Sequence, residues 1–125
     1  KVEATGNQSI ILTERGTCFG YRDLVVDLRS FQIMKSFKYP VIFDAGHSIR
    51  KYGIPSADPA GGTKHFLQTL MSACSATNLA GLFVEVHPDP QNAQCDAASQ
   101  LSFDEAKRLI TRYFKIAEFV RELQD

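Results

Sequence analysis

Charge of one sign is what this sequence lacks first: fourteen Lys and Arg stand against fourteen Asp and Glu, and the formal net charge is zero. A balanced chain sets up no field that would gather nucleic acid or an anionic membrane. Neither is expected as a partner, and any anionic ligand has to be held by a local site. Cysteine is scarce as well. Cys18, Cys74 and Cys95 are an odd number at wide spacing. They form neither the C-x-x-C pairs of a structural zinc site nor the density of a secreted disulfide scaffold, which favours a reducing, cytoplasmic setting. Long hydrophobic runs are also missing. The mainly apolar stretches are of strand length, far short of the roughly 20 residues that cross a bilayer, and the first residues carry no basic-then-apolar leader pattern.

What is present is the composition of an ordinary globular protein, 44% hydrophobic and 22% charged over 125 residues, enough for one compact domain. A single theme recurs three times: a short apolar run, a polar or Gly-containing loop, and a stretch with helical spacing. The first unit is a strand at residues 9–13 and a helix from Leu24 to Phe37, with Leu24, Leu28, Phe31 and Met34 or Phe37 along one side. The second opens on a strand at residues 40–43, where Pro40 can begin a strand but not sit inside one. It continues through a loop rich in Gly and Pro into a helix over residues 64–76, with Phe66, Leu67, Leu70, Met71 and Cys74 facing inward. The third is a strand at residues 81–85 followed by the turn His87-Pro88-Asp89-Pro90. The last helix begins at a capping box, Ser102 with Glu105 three residues on. Its apolar stripe is Ala106, Leu109, Ile110, Tyr113, Phe114, Ala117, Val120 and Leu123.

Runs apolar at every position, alternating with helices, predict parallel strands buried on both faces and so an α/β fold. Three units leave sheet edges unpaired, and a closed barrel of such units takes about 250 residues. The chain therefore reads as part of a larger protein.

In α/β folds the groups that act on ligands follow the C-terminal ends of the strands. Here those are Glu14 and Arg15, then Asp44 and His47, then Glu85 and His87, with Asp96 in the next loop. Arg15 suits a bidentate clamp on phosphate or carboxylate; the alternative is an ion pair with Glu14 or Asp44. His47, Glu85 and Asp96 have the donor types of a metal site, although a lone His at a strand end also serves as a hydrogen-bonding group. Gly61-Gly62 could offer backbone N–H groups to a phosphate or simply satisfy the backbone where a helix starts. The turn at residues 87–90 reads as a rigid connector. Cys18 and Cys95 lie near the same rim with no basic partner implied, so neither stands out as a nucleophile.

The segments at residues 14–21, 24–30, 40–48 and 81–90 resemble, in order and spacing, the second half of the 3-deoxy-manno-octulosonate-8-phosphate synthases. The most specific stretch runs from Arg15-Gly16 through Phe19-Gly20-Tyr21 to Leu24-Val25-Val26-Asp27, because the related 3-deoxy-arabino-heptulosonate-7-phosphate synthases share the later His and Glu-x-His-Pro motifs but differ there. The resemblance implies a partial (β/α)8 (TIM) barrel, strands six to eight with their helices, with residues 1–125 the C-terminal portion of one domain. It implies a cytoplasmic homotetrameric transferase of lipopolysaccharide biosynthesis that joins phosphoenolpyruvate to arabinose 5-phosphate. Arg15 and His47 would bind substrate, His47 and Asp96 would act in catalysis, and His47, Glu85 and Asp96 would hold a divalent metal ion, with no organic cofactor. The fourth ligand of metal-dependent members, a Cys on the first strand, belongs to the half this chain lacks. The chain departs from the pattern in having Gly46 where the family usually has Thr, and Arg50 where it has Gln. Its Cys95-Asp96-Ala97-Ala98-Ser99-Gln100 is closer to metal-dependent members than to the Cys-Asp-Gly-Pro of metal-independent ones. The rival expectations are the heptulosonate synthase, with erythrose 4-phosphate as acceptor, and a half-barrel inactive by itself.

Overall fold

In a computed structural model that describes residues 1–17 and 22–123, the three expected units are all present. Strands β1 (Leu12–Glu14), β2 (Val41–Asp44) and β3 (Gly81–Phe83) form one parallel sheet in the order β1-β2-β3. Helices α1 (Leu28–Lys35) and α2 (Leu67–Ser75) make the two crossovers, and α3 (Phe103–Glu122) follows β3. The fold is α/β. The register pairs Glu14 with Phe43 and Asp44 with Phe83, so the three strands end at a common rim.

The core lies where helices meet the central strand. Val41 and Phe43 of β2 and Ala45 just beyond it alternate with Ile42 and Asp44, and all three are buried. Phe31 of α1 meets Phe43 edge-to-face, ring centroids 6.0 Å apart, the arrangement aromatic quadrupoles favour. Leu67, Met71 and Cys74 of α2 join Leu109 and Tyr113 of α3 in the same cluster. Burial pushes the Cys74 thiol up to about 12, which leaves it a small apolar filler and not a nucleophile.

Several boundaries differ from the sequence reading. The first strand starts at Leu12 and not at residue 9, because its ladder begins where Leu12 N–H donates to Pro40 C=O at 2.9 Å; Ile10 and Ile11 precede it, and Ile11 is exposed. The first helix starts at Leu28 and not at Leu24. Asp27 caps it by accepting from Arg29 N–H, while Val25 is spent on an antiparallel bridge to Thr17 and Leu24 packs against Gly16. Leu28 and Phe37 consequently face solvent, as do Phe66, Phe114 and Leu123. Phe66 sits in a 3-10 turn (Lys64–Phe66) that turns it away from the face continued by Leu67. For Phe114 and Leu123 the reason is length: α3 has 20 residues against nine in α2, and its buried residues are Ala106, Leu109 and Tyr113, with none beyond Tyr113. Burial on both faces holds for β2 only; Phe83 on β3 is exposed, since β1 and β3 are edge strands among the described residues. Cys18 and the motif residues Phe19, Gly20 and Tyr21 lie outside the described residues.

The capping box is present in full: Glu105 N–H donates to Ser102 Oγ, and Glu105 Oε2 accepts from Ser102 N–H at 2.9 Å. The Ser102 backbone N–H, and after it the Ser102 hydroxyl, hold the Glu105 carboxyl below its usual value.

Candidate functional site

The rim is organised around Asp44, the last residue of β2 and a buried one. Its Oδ1 accepts the backbone N–H of His47 at 3.0 Å, and its Oδ2 lies 2.8 Å from His47 Nδ1. A carboxylate three residues before the imidazole thus closes a tight turn and is the hydrogen-bond partner of Nδ1, which leaves Nε2 facing the site. The same Oδ2 lies 3.8 Å from Arg15 Nε. That distance makes a loose ion pair. Arg15 is 54% exposed, so most of its guanidinium donors stay free; of the two sequence readings, the ion pair with Asp44 is the one observed. Glu14 takes no part in that pair. It turns inward and accepts from Gly16 N–H at 2.6 Å and Ser30 Oγ at 2.5 Å, tying β1 to α1. The positive φ of Gly16 (93°) makes that tight return feasible.

Glu85 enters from just beyond β3. The chain past β3 is held by Leu101, whose N–H donates to Glu85 C=O and whose C=O accepts from His87 N–H. That clasp returns the loop bearing Asp96 to the rim. Asp96 has φ 50°, a left-handed conformation that Asp tolerates better than most residues. Its C=O accepts from Ser99 and Gln100 N–H. The outcome is that His47, Glu85 and Asp96 each bring one donor atom within 4.8 Å of the others. His47 Nε2 lies 3.8 Å from Glu85 Oε2, and that oxygen is buried without a hydrogen-bond partner among the described residues. An uncompensated buried carboxylate oxygen is costly, and a cation among these three donors would satisfy it. One imidazole and two carboxylates suit a first-row divalent ion.

Other sequence candidates go elsewhere. The His87 ring bonds within its own turn, to Asp89, and residues 87–90 are the rigid connector expected. At Gly61-Gly62 the observations favour the backbone reading: Gly61 N–H already donates to Asp58 C=O at 2.9 Å. Gly61 C=O accepts from Lys51 N–H, and a Cβ on Gly62 would stand 2.6 Å from Ala98 C=O; close packing of two loops is their role. Gly46 is buried, and a Cβ there would meet Ser99 at ordinary contact distance, 3.5 Å. Cys95 is free and exposed.

The sequence reading missed two contributions. Asp44 was read as a strand-end acid, yet it orients His47; an Asp three residues before a His in a turn is the available signal. Arg50 was read as one added charge, yet its Nε lies 3.9 Å from Asp96 Oδ1. Arg15, Arg50, Lys51 and Asp96 border a cavity of about 280 Å³ beside the cluster.

The DAHP synthetase I family matches residues 1–121. Among curated proteins, the 2-dehydro-3-deoxyphosphooctonate aldolase of Trichlorobacter lovleyi is 46% identical over 121 residues, covering 97% of this chain and 44% of the relative. Its namesake in Desulfotalea psychrophila is 40% identical, with 98% and 43% covered. The chain thus spans less than half the length of the curated relatives it matches. Among solved structures, the phospho-2-dehydro-3-deoxyheptonate aldolase (DAHP synthase) of Thermotoga maritima superposes with a TM-score of 0.78 at 29% identity, over 95% of this chain and 32% of the other. The relatives called phosphooctonate aldolases are the enzymes whose motifs the sequence resembles. With agreement that takes in all three strands, α1, α2 and nearly all of α3, the chain belongs to the DAHP synthetase I family.

Proposed function

We propose that the protein containing these residues condenses phosphoenolpyruvate with D-arabinose 5-phosphate and water to 3-deoxy-D-manno-octulosonate 8-phosphate and inorganic phosphate, a step toward lipopolysaccharide. Residues 1–125 are then the C-terminal portion of one (β/α)8 barrel, strands six to eight with their helices. The observation that carries this reading is the convergence at one rim of Arg15, His47, Glu85 and Asp96, the residues that match the motifs of this enzyme class. Relatives bearing its name are 40% and 46% identical. The open edge supports the partial barrel: along β1 a hollow of about 410 Å³ is lined by Ile10, Leu12, Met34 and Phe37, apolar surface that preceding strands would cover. No described helix is long and apolar enough to cross a membrane; a cytoplasmic homotetramer is part of the proposal.

In the reaction C3 of phosphoenolpyruvate attacks the aldehyde carbon, water adds at C2, and phosphate leaves with cleavage of its C–O bond. Arg15 grips the anionic phosphoenolpyruvate with the donors that Asp44 leaves free. His47, held by Asp44 through Nδ1, and Asp96 face the space where aldehyde and water meet, and are assigned as catalytic. His47, Glu85 and Asp96 would hold a divalent ion, which when bound supplies Lewis acidity for an aldehyde or water oxygen. No organic cofactor is required.

The 29% identity to a DAHP synthase favours one rival acceptor, erythrose 4-phosphate. Phosphate release by the full-length protein, given phosphoenolpyruvate and each aldose in turn, decides between them. Turnover with arabinose 5-phosphate is expected; turnover with erythrose 4-phosphate alone would overturn the assignment. The 125-residue chain by itself is expected to release none.

A further inference from the structure

We propose that Arg50 is a built-in cation that competes with a divalent ion for Asp96 and so sets how weakly the His47, Glu85 and Asp96 cluster binds metal. This rests on the reading that the cluster takes a divalent ion, and the experiment below separates the two.

Arg50 does not behave as a surface charge. Its side chain is 13% exposed, and its guanidinium is held by two backbone carbonyls, Nη1 donating to Ser56 at 3.3 Å and Nη2 to Ile54 at 3.2 Å. The bed under it is cleared: a Cβ on Gly61 would stand 2.8 Å from Arg50 Nη1. The Arg50 backbone is anchored on both sides, by the bridge to Gly62 and by its N–H donating to His47 C=O. The third nitrogen, Nε, faces Asp96 Oδ1 at 3.9 Å. A fixed positive charge therefore stands beside one of three metal donors, in a setting too enclosed for water to screen it fully. It draws on the same carboxylate charge that an incoming dication needs, and it repels that dication. Lys51 and Arg15 border the same cavity, yet neither is paired with Asp96.

The test is calorimetric titration of chelator-stripped full-length protein with cobalt(II), which reads affinity without turnover. Arg50→Gln is expected to tighten binding by about tenfold or more, whereas Arg50→Lys, which keeps the charge but loses the fork to Ile54 and Ser56, should stay within a few-fold of the parent. Should Arg50→Gln fail to fold, Arg50→Met keeps the packing over Gly61 without charge and carries the same expectation. Unchanged or weaker binding in the neutral variants overturns the proposal. Equal tightening in Arg50→Lys also overturns it, since loop release and not charge would then be the cause. No heat of binding in any of them removes the metal reading and this proposal with it.

Discussion

Asp44 and His47 are joined twice, by a backbone N–H to Oδ1 at 3.0 Å and by the imidazole Nδ1 to Oδ2 at 2.8 Å. The double bond pattern fixes both where the imidazole stands and which nitrogen is left for chemistry. Asp44 does this from the last position of the central strand, where the sheet cannot shift without moving Phe43 in the core.

Replacing Asp44 with Asn should therefore damage the site more than the fold. The amide can keep the turn at His47 N–H but offers Nδ1 no anionic partner. Activity of the full-length protein is expected to fall by about ten- to a hundredfold, with far-ultraviolet circular dichroism retained. A variant with parental kcat would show that Asp44 does not orient His47.

Glu85 supplies a stability test. Its buried Oε2 has no hydrogen-bond partner among the described residues, so an ion that satisfies it should raise the melting temperature, by an amount that corresponds to about 2.7 kcal/mol at a hundred times the dissociation constant. Manganese(II) or cobalt(II) should produce the shift, and a chelator should reverse it. Glu85→Gln and Asp96→Asn should each abolish most of it; a shift that survives both would place the ion elsewhere.

Gly62→Ala tests how the Asp96 loop is seated. The added methyl would meet the Ala98 carbonyl oxygen at 2.6 Å, and a backbone atom has to give way. A cost of about 1–3 kcal/mol is expected in denaturant unfolding. The displaced loop should also loosen ion binding. Gly46→Ala, where contacts stay at 3.5 Å or more, is the matched control and should change neither.

The acid limb of stability should carry a contribution from Glu105. Its folded value is lowered, chiefly by the Ser102 backbone N–H, from the ordinary 4.5. The stabilisation it brings is thus complete above the unfolded value and is lost as pH falls through the lowered folded one. Glu105→Gln should lose that pH-dependent part. Urea midpoints of parent and variant should differ most near neutrality, by an amount consistent with about 1 kcal/mol for a cap, and converge at low pH. A difference independent of pH would mean the carboxylate charge is not what caps α3.

Much of this was legible along the chain. Val41-Ile42-Phe43 announces a buried strand and Gly81-Leu82-Phe83 a further strand, though not the exposure of Phe83; Ser102 with Glu105 announces a helix start, and Arg15, His47, Glu85 and Asp96 follow strand ends where ligand groups gather. The start of α1 was not legible, because Leu24 and Val25 satisfy helical spacing equally well but are claimed by Gly16 and Thr17. Nor were the exposures of Phe66 and Phe114, which depend on where α2 begins and how far it reaches along α3.

By itself the sequence determined the α/β order, the capped last helix and the kinds of donor at the rim. All of these follow from local periodicity and from what each side chain can do. Only the tertiary structure decided that Asp44 serves His47, that Gly62 admits Ala98, and that Arg50 turns its charge on Asp96. Gly62 and Ala98, like Arg50 and Asp96, lie far apart in the chain, and Asp44 reaches its near neighbour His47 only through the turn that closes β2, so packing around β2 and not hydrophobic periodicity sets these distances.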